Sequence, residues 1–299
     1  MSEDIRYQQC PICKSHKIGF ALSAIDQTVS KEHFEVWECS DCTVRFTQGI
    51  PIASAIGKYY KSPDYVSHSD TKKGIINQLY HWVRSYTLGS KKRLIKNLTT
   101  LNSGSLLDVG AGTGAFAATI KKAGWSVTGL EPDETAREIA KQNYHLDLNS
   151  PEELYKLSSS TFDAITMWHV LEHVHDLHGY LDTFQRILKQ NGTLFIAVPN
   201  FTSFDADAYK EFWAAYDVPR HLYHFSPHSM DILVEQHGMQ VVAHKPMWFD
   251  SFYVSMLSEQ YKNGYNNIIT AFWNGWLSNW EVFNDTSKCS SVIYVIRKK

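Results

Sequence analysis

Leu106-Leu107-Asp108-Val109-Gly110-Ala111-Gly112-Thr113-Gly114-Ala115-Phe116 is the stretch whose reading decides the fold of this chain. Ser105 to Val109 is a short apolar run suited to a buried strand, and glycines follow it at positions 110, 112 and 114. Ala115 to Lys122 then reads as a helix, stopped by Gly124. A strand, a glycine-rich turn and a helix make a nucleotide site, because glycine lets the backbone approach a ligand closely. The same letters also satisfy the dinucleotide pattern G-x-G-x-x-A, so the turn alone leaves the ligand open.

The flanking elements narrow the choice. Trp125 to Leu130 reads as a second strand with Glu131 at its carboxyl end, where an acidic side chain accepts hydrogen bonds from a ribose diol. NAD and S-adenosylmethionine both carry that diol. Asp108 separates them: a carboxylate just before the turn repels a pyrophosphate and suits an ammonium group. A short third strand is expected around Tyr144 to Leu148. Ser226-Pro227 opens a helix running to Gly238, and Met239 to His244 and Ser291 to Ile296 read as the last two strands. Between them lies an insertion of roughly 247–290.

In this order, LLDVGAGTGAF (106–116), GLEPDE (129–134), FDAITMWHVLEHVHD (162–176) and LKQNGTLFIAVPN (188–200) resemble the successive motifs of class I S-adenosylmethionine-dependent methyltransferases. The third stretch matches that family's fourth strand and following helix, and the fourth its helix, glycine turn and fifth strand. The resemblance implies an α/β, Rossmann-like, seven-stranded sheet with helices on both faces, and S-adenosylmethionine as cofactor. Asp108 and the turn Gly110, Ala111, Gly112, Thr113 and Gly114 would hold the methionine part. Glu131 would hold the ribose hydroxyls, Leu148 or Asn149 would meet the adenine, and Trp168 and His169 would lie beside the cofactor.

Methyl transfer is an in-line displacement from an already activated donor, so alignment of the acceptor is the protein's main task. A general base helps when the acceptor is a hydroxyl or an acidic carbon, and histidine titrates in the useful range. Of 14 histidines, His169 and His173 fall at the expected start of the helix after the fourth strand, and His221 and His224 fall in PRHLYHFSP (219–227). These four are the candidate catalytic residues. The competing reading makes them loop-ordering groups. Glu172 with His173 can also ligate a divalent ion, as in some quinone methyltransferases that this region resembles.

Upstream, Cys10-Pro-Ile-Cys13 and Cys39-Ser-Asp-Cys42 are paired Cys-x-x-Cys knuckles, with strand-like Phe34 to Glu38 and Val44 to Phe46 around the second. Two such knuckles complete a sulfur tetrahedron for structural zinc and leave no open position for water, so Cys10, Cys13, Cys39 and Cys42 are expected to hold Zn2+ in a zinc ribbon. A ribbon of this size depends on its metal to fold. Cys289 stands alone and reads as a buried apolar residue.

The 299 residues divide into a zinc-ribbon-like module (1–50), a helical connector or lid (51–103) and the methyltransferase core (104–299). In the connector, Tyr59 to His68 is a candidate lid, and Leu79, Trp82, Val83 and Tyr86 form an apolar stripe at helical spacing. The insertion is rich in tryptophan, tyrosine and phenylalanine, from Trp248 to Phe283. It reads as a cap over an apolar acceptor, a homodimer interface, a membrane contact or simple packing, with the cap preferred; few Lys or Arg argue against electrostatic membrane binding. A net charge of −2 gives no global attraction to nucleic acid. No stretch is long and apolar enough to span a membrane, and the opening residues lack the apolar core of a signal peptide, so the expected location is cytoplasmic. The leading expectation is O- or C-methylation of a small molecule, quinone-, sugar- or other metabolite-like. The alternative is an RNA methyltransferase gripping phosphates with the ribbon and the basic 54–103 segment, with a non-enzymatic cofactor-binding scaffold and an NAD-linked oxidoreductase further off.

Overall fold

A computed structural model describes residues 4–61, 75–265 and 267–299. The chain opens with five strands: β1 (Asp4–Ile5), β2 (Ile18–Ile25), β3 (His33–Cys39), β4 (Arg45–Thr47) and β5 (Ile50–Pro51). Helix α1 (Ile75–Thr99) follows, then β6 (Ser105–Val109), α2 (Ala115–Lys122), β7 (Ser126–Leu130), α3 (Glu134–Tyr144), β8 (Phe162–Trp168), α4 (Leu177–Ile187) and β9 (Leu188–Pro199). The remainder is α5 (Phe204–Tyr209), β10 (Tyr223–His224), α6 (Pro227–Gln236), β11 (Met239–Pro246), α7 (Asp250–Asn263), α8 (Ile268–Glu281) and β12 (Ser291–Lys298).

The Rossmann-like sheet has the order β11-β12-β9-β8-β6-β7, six strands among the described residues rather than seven. The expected third strand is reduced to a single parallel bridge, Leu130 to Asn149. Its shortness is the cause. Helix α3 runs to Tyr144, and His145 closes it in the left-handed region (φ 53°), leaving three residues before Asn149. Leu148 lies over β7, where a Cβ on Gly129 would come within 2.4 Å of it. β6 runs parallel to both β7 and β8, placing Asp108 alongside Gly129 on one side and Thr166 on the other.

Two other expectations are corrected. Leu188 to Pro199 is one continuous strand, with no turn at Gly192. The helix after β8 begins only at Leu177; His169 to Val174 is instead a loop with a 3-10 turn at Leu171–His173. The reason is local: His169 adopts φ 58°, which no α-helix accommodates. The helix predicted from Ser226 forms as α6, and its capping box is complete, Ser226 accepting from Ser229 N–H while Ser229 returns the bond.

The chain folds as two compact units. One contains the described parts of Met1–His68 with His169–Leu177 and Ala197–Tyr294; the other contains those of Ser69–Trp168 with His178–Ile196 and Val295–Lys299. These units do not follow the expected boundaries at residues 50 and 103. β10 pairs antiparallel with β4, giving a four-stranded sheet β10-β4-β3-β2, so the cysteine module shares a sheet with PRHLYHFSP. On α1, Tyr86 is exposed rather than part of an inner stripe, and the side chains of Leu79 and Trp82 lie outside the described residues, as do Ser62 to His68 of the candidate lid. No helix among the described residues is long and apolar enough to cross a membrane.

Candidate active site

In the second unit the glycine turn joins β6 to α2. Gly110, Gly112 and Gly114 all have positive φ (72°, 54° and 80°). At Gly114 a Cβ would meet Ala140 Cβ at 2.9 Å, so only glycine allows α2 and α3 to close there. The N–H groups of Gly110 and Ala111 donate to Leu130 O, tying the turn to the end of β7. Thr113 and Gly114 complete the turn, Gly114 N–H donating to Ala111 O.

Asp108 is buried at the end of β6, and its Oδ1 accepts a 2.7 Å bond from Thr166 Oγ1. Burial pushes its carboxyl up to about 7, against the Thr166 hydroxyl and the charge of Lys91. Glu131 accepts from Gly112 N–H (2.7 Å) and Asp133 N–H (3.0 Å), one bond on each oxygen. Each oxygen keeps a second lone-pair direction for a ligand hydroxyl. Burial raises the Glu131 carboxyl also. Trp168 sets its ring edge-on to Phe116 at 5.5 Å, with Lys91 Nζ 4.3 Å above it, and its buried Nε1 has no hydrogen-bond partner among the described residues. Asn149 lies beside the carboxyl end of β7, held by backbone bonds to Gly129 and Glu131. A buried acid awaiting a cation, an acid suited to a diol and an unmatched indole N–H fit S-adenosylmethionine; an acid at the turn does not fit a pyrophosphate.

The first unit gathers the histidines. His169 lies between two carboxylates, its Nδ1 3.4 Å from Glu172 Oε1 and its Nε2 2.9 Å from Asp250 Oδ2. Burial alone would lower its imidazole, but Asp250 and then Glu172 outweigh it and push it up to about 10. It is therefore held as a cation. Glu172 is fully buried, and neither of its oxygens has an aligned hydrogen bond from a described group. The neighbouring imidazoles lower its carboxyl in spite of that burial. His173 packs edge-on against His221, ring centres 4.6 Å apart. Its Nδ1 lies 2.9 Å from Arg220 O and 3.1 Å from Tyr60 Oη, while His221 Nδ1 lies 2.8 Å from Ala215 O. Carbonyl oxygens only accept, so each Nδ1 carries a proton, and in the neutral form of either ring the lone pair sits on Nε2. Burial and the His221 charge lower His173 to about 4. His224 is buried beside Thr47 Oγ1 (3.2 Å), and burial drives it well down.

The structure thus brings His169, His173 and His221 around Glu172 and leaves His224 in the packing of β10 against β4. One ligand atom from each of Glu172, His173 and His221 lies within 4.8 Å of the others, a set that can hold a divalent ion. Four residues of the assembly escaped sequence reading. Arg220, wholly buried, bonds Asp26 Oδ1 (2.9 Å), Asp217 Oδ1 (2.6 Å) and Tyr59 O (2.8 Å), fixing the backbone that carries His221. Thr47 donates to His221 O (2.7 Å). Arg220 sits inside the quoted PRHLYHFSP, and an arginine directly before the first of its two histidines was the available signal; Asp26, Thr47 and Asp250 carry no motif.

The cysteine sulfurs converge as expected. Cys10 and Cys42 Sγ are 3.5 Å apart, as are Cys13 and Cys39, and all four lie within 4.8 Å of one another. Zinc–thiolate bonds of about 2.3 Å set tetrahedral sulfurs about 3.8 Å apart, so the donors and spacing fit zinc.

Residues 81–244 match the model of a methyltransferase domain family, covering the glycine turn, Glu131, the Glu172 loop and PRHLYHFSP. The chain belongs to that methyltransferase family. The matched span leaves out the cysteine module and the α7–α8 insertion. The chain is 29 % identical over 127 residues to a ubiquinone biosynthesis O-methyltransferase of Pelagibacter ubique, covering 40 % of this chain and 50 % of that one. It is 28 % identical over 163 residues to the mitochondrial ubiquinone biosynthesis O-methyltransferase of Homo sapiens, covering 49 % and 44 %. The chain spans about half the length of these curated relatives. In fold it is similar to a Galdieria sulphuraria protein provisionally called a sarcosine dimethylglycine methyltransferase, with a TM-score of 0.51, 14 % identity, and coverage of 75 % of this chain and 88 % of that one.

Proposed function

We propose that this methyltransferase uses S-adenosylmethionine to methylate an oxygen of a small, flat acceptor of the phenol or quinol class. The observation that carries the cofactor is Asp108, a buried carboxylate at the glycine turn that accepts from the Thr166 hydroxyl, paired with Glu131 at the end of the next strand. The acceptor class rests on the ubiquinone O-methyltransferases that the chain resembles. The bound sulfonium supplies an activated methyl group.

The protein's own part is to hold the acceptor and take its proton. His169 follows Trp168 directly at the carboxyl end of β8, the end at which sheets of this kind bind ligands. His221 is the base in this reading: its Nδ1–H is spent on Ala215 O, which leaves Nε2 to receive the phenolic proton. Glu172 stabilises the imidazolium that forms. His169, already cationic between Asp250 and Glu172, orients and balances that carboxylate rather than acting as a base. His173 at about 4 is a poor proton acceptor near neutrality and serves as a positioning group or, with Glu172 and His221, as a ligand to a divalent ion. Cys10, Cys13, Cys39 and Cys42 hold structural zinc. The chemistry takes place in the cytoplasm on a small molecule and without nucleic acid.

The test is methylation of a catechol carboxylate such as 3,4-dihydroxybenzoate, followed by product mass. His221→Asn is expected to lower kcat by about 10²–10⁴-fold with the affinity for S-adenosylhomocysteine unchanged. Methylation at carbon, or a His221→Asn variant with full kcat, contradicts the assignment.

A further inference from the structure

Helix α8 is built inside out. Its buried positions are Ala271, Gly275 and Ser278, small residues spaced as one helical face, and they pack on its neighbours. A Cβ on Gly275 would come within 2.8 Å of Phe252, so α7 and α8 touch through that glycine. Its polar side chains also turn inward: Ser278 donates to Asp205 (2.7 Å), Asn274 to Tyr209 Oη (2.9 Å) and Asn279 to Trp248 O (2.8 Å). The large apolar residues face outward. Ile269 is 83 % exposed, Phe272 60 %, Trp273 57 %, Trp280 56 % and Phe283, just past the helix, 77 %.

This outer face is preorganised. Trp273 stacks on Trp276 (5.2 Å, 28°), Trp276 lies 5.3 Å from Trp280, and Trp280 lies 6.1 Å from Phe283. The rings already support one another, so covering them costs little side-chain entropy. With about 150–250 Å² per aromatic side chain, the four aromatics of the ladder together with Phe272 leave on the order of 600 Å² exposed, and Ile268 and Ile269 extend it toward the roughly 800 Å² per partner of a stable interface.

We infer that this face is an isologous interface in which α8 pairs antiparallel with α8 of a second copy of this chain. The charges favour a copy over a lipid surface. No ionisable side chain with an acidic or basic charge occurs from Asn263 to Trp280, so two such faces meet without repulsion. The charged residues of the hairpin and its exit are Asp250, Glu259, Lys262, Glu281, Asp285 and Lys288, a net of −2 that anionic lipid repels. A helix stripe matched to itself about a two-fold axis closes at two copies.

Sedimentation velocity on the full chain, from 0.5 to 50 µM, reads the outcome. The expected result is a species of twice the 34.3 kDa chain mass. Trp273→Glu and, separately, Ile269→Lys should weaken the dimer at least about 100-fold, while circular dichroism and S-adenosylhomocysteine binding stay unchanged because both residues are exposed. A wild-type chain that remains monomeric at 50 µM overturns the inference. So does a dimer indifferent to both substitutions, or a monomer that co-sediments with phosphatidylcholine or phosphatidylglycerol vesicles through Trp273.

Discussion

Asp108 lies at the centre of residue-scale behaviour. An isolated aspartate ionises near 3.9, and burial at the end of β6 pushes this one up to about 7. Its folded-state value is raised, so its contribution to stability is complete below about 4 and is lost as pH rises through about 7. In the absence of cofactor the thermal midpoint should therefore drift downward over that window, and Asp108→Asn should flatten the drift. An ammonium group prefers the ionised form, so S-adenosylhomocysteine affinity should rise from pH 5.5 to about 7 and then level. Titration calorimetry in two buffers checks the sign; affinity independent of pH would place the amine elsewhere. His169 illustrates the opposite case, an imidazole kept charged by Asp250 and Glu172.

At the scale of elements, one ion pair joins the turn after β2 to the histidine loop. Asp26 accepts from the N–H groups of Thr28, Val29 and Ser30, closing the β2–β3 turn, and from buried Arg220. Arg220 in turn presents its carbonyl to His173. Removing one member of such a buried pair leaves a charge without its partner and costs about 3–5 kcal/mol. Asp26→Asn should therefore lower the urea midpoint by that equivalent and reduce kcat more than it changes KM. A substitution that left both unchanged would mean the turn does not support the loop. The 3-10 turn at Leu171–His173 belongs to the same logic: it holds Glu172 inward, a task an α-helix starting at His169 would not perform.

At the scale of the whole molecule, the cysteine module is part of the histidine unit rather than an appendage. β4 lies between β3 and β10, and Thr47 on β4 holds both His221 O and His224. Zinc loss should unravel the knuckles that anchor β3 and β4, since a structural site contributes folding energy directly. Purified protein should contain one zinc per chain by elemental analysis. Chelation at low pH followed by neutralisation should abolish turnover while S-adenosylhomocysteine binding persists. Full turnover by zinc-free protein would reduce the module to a passive one.

The nucleotide half was legible in the sequence because its signals are local. A strand, glycines at 110, 112 and 114, and an acid at the end of the next strand lie within about 30 residues, and backbone sterics alone dictate what those glycines do. The paired cysteine knuckles are equally local. The third strand failed because Tyr144 to Leu148 carries apolar residues whether it pairs or not, and pairing depends on how far α3 runs before His145 ends it. The site around Glu172 was decided by tertiary structure. Asp26, Thr47, Glu172, Arg220 and Asp250 are scattered over some 220 residues, and no spacing rule links them; only burial, which makes each charge find a partner, brings them together. The outward face of α8 follows the same division. Its sequence declared the aromatic content, but only the packed helix showed that the small and polar residues face inward and the tryptophans face out.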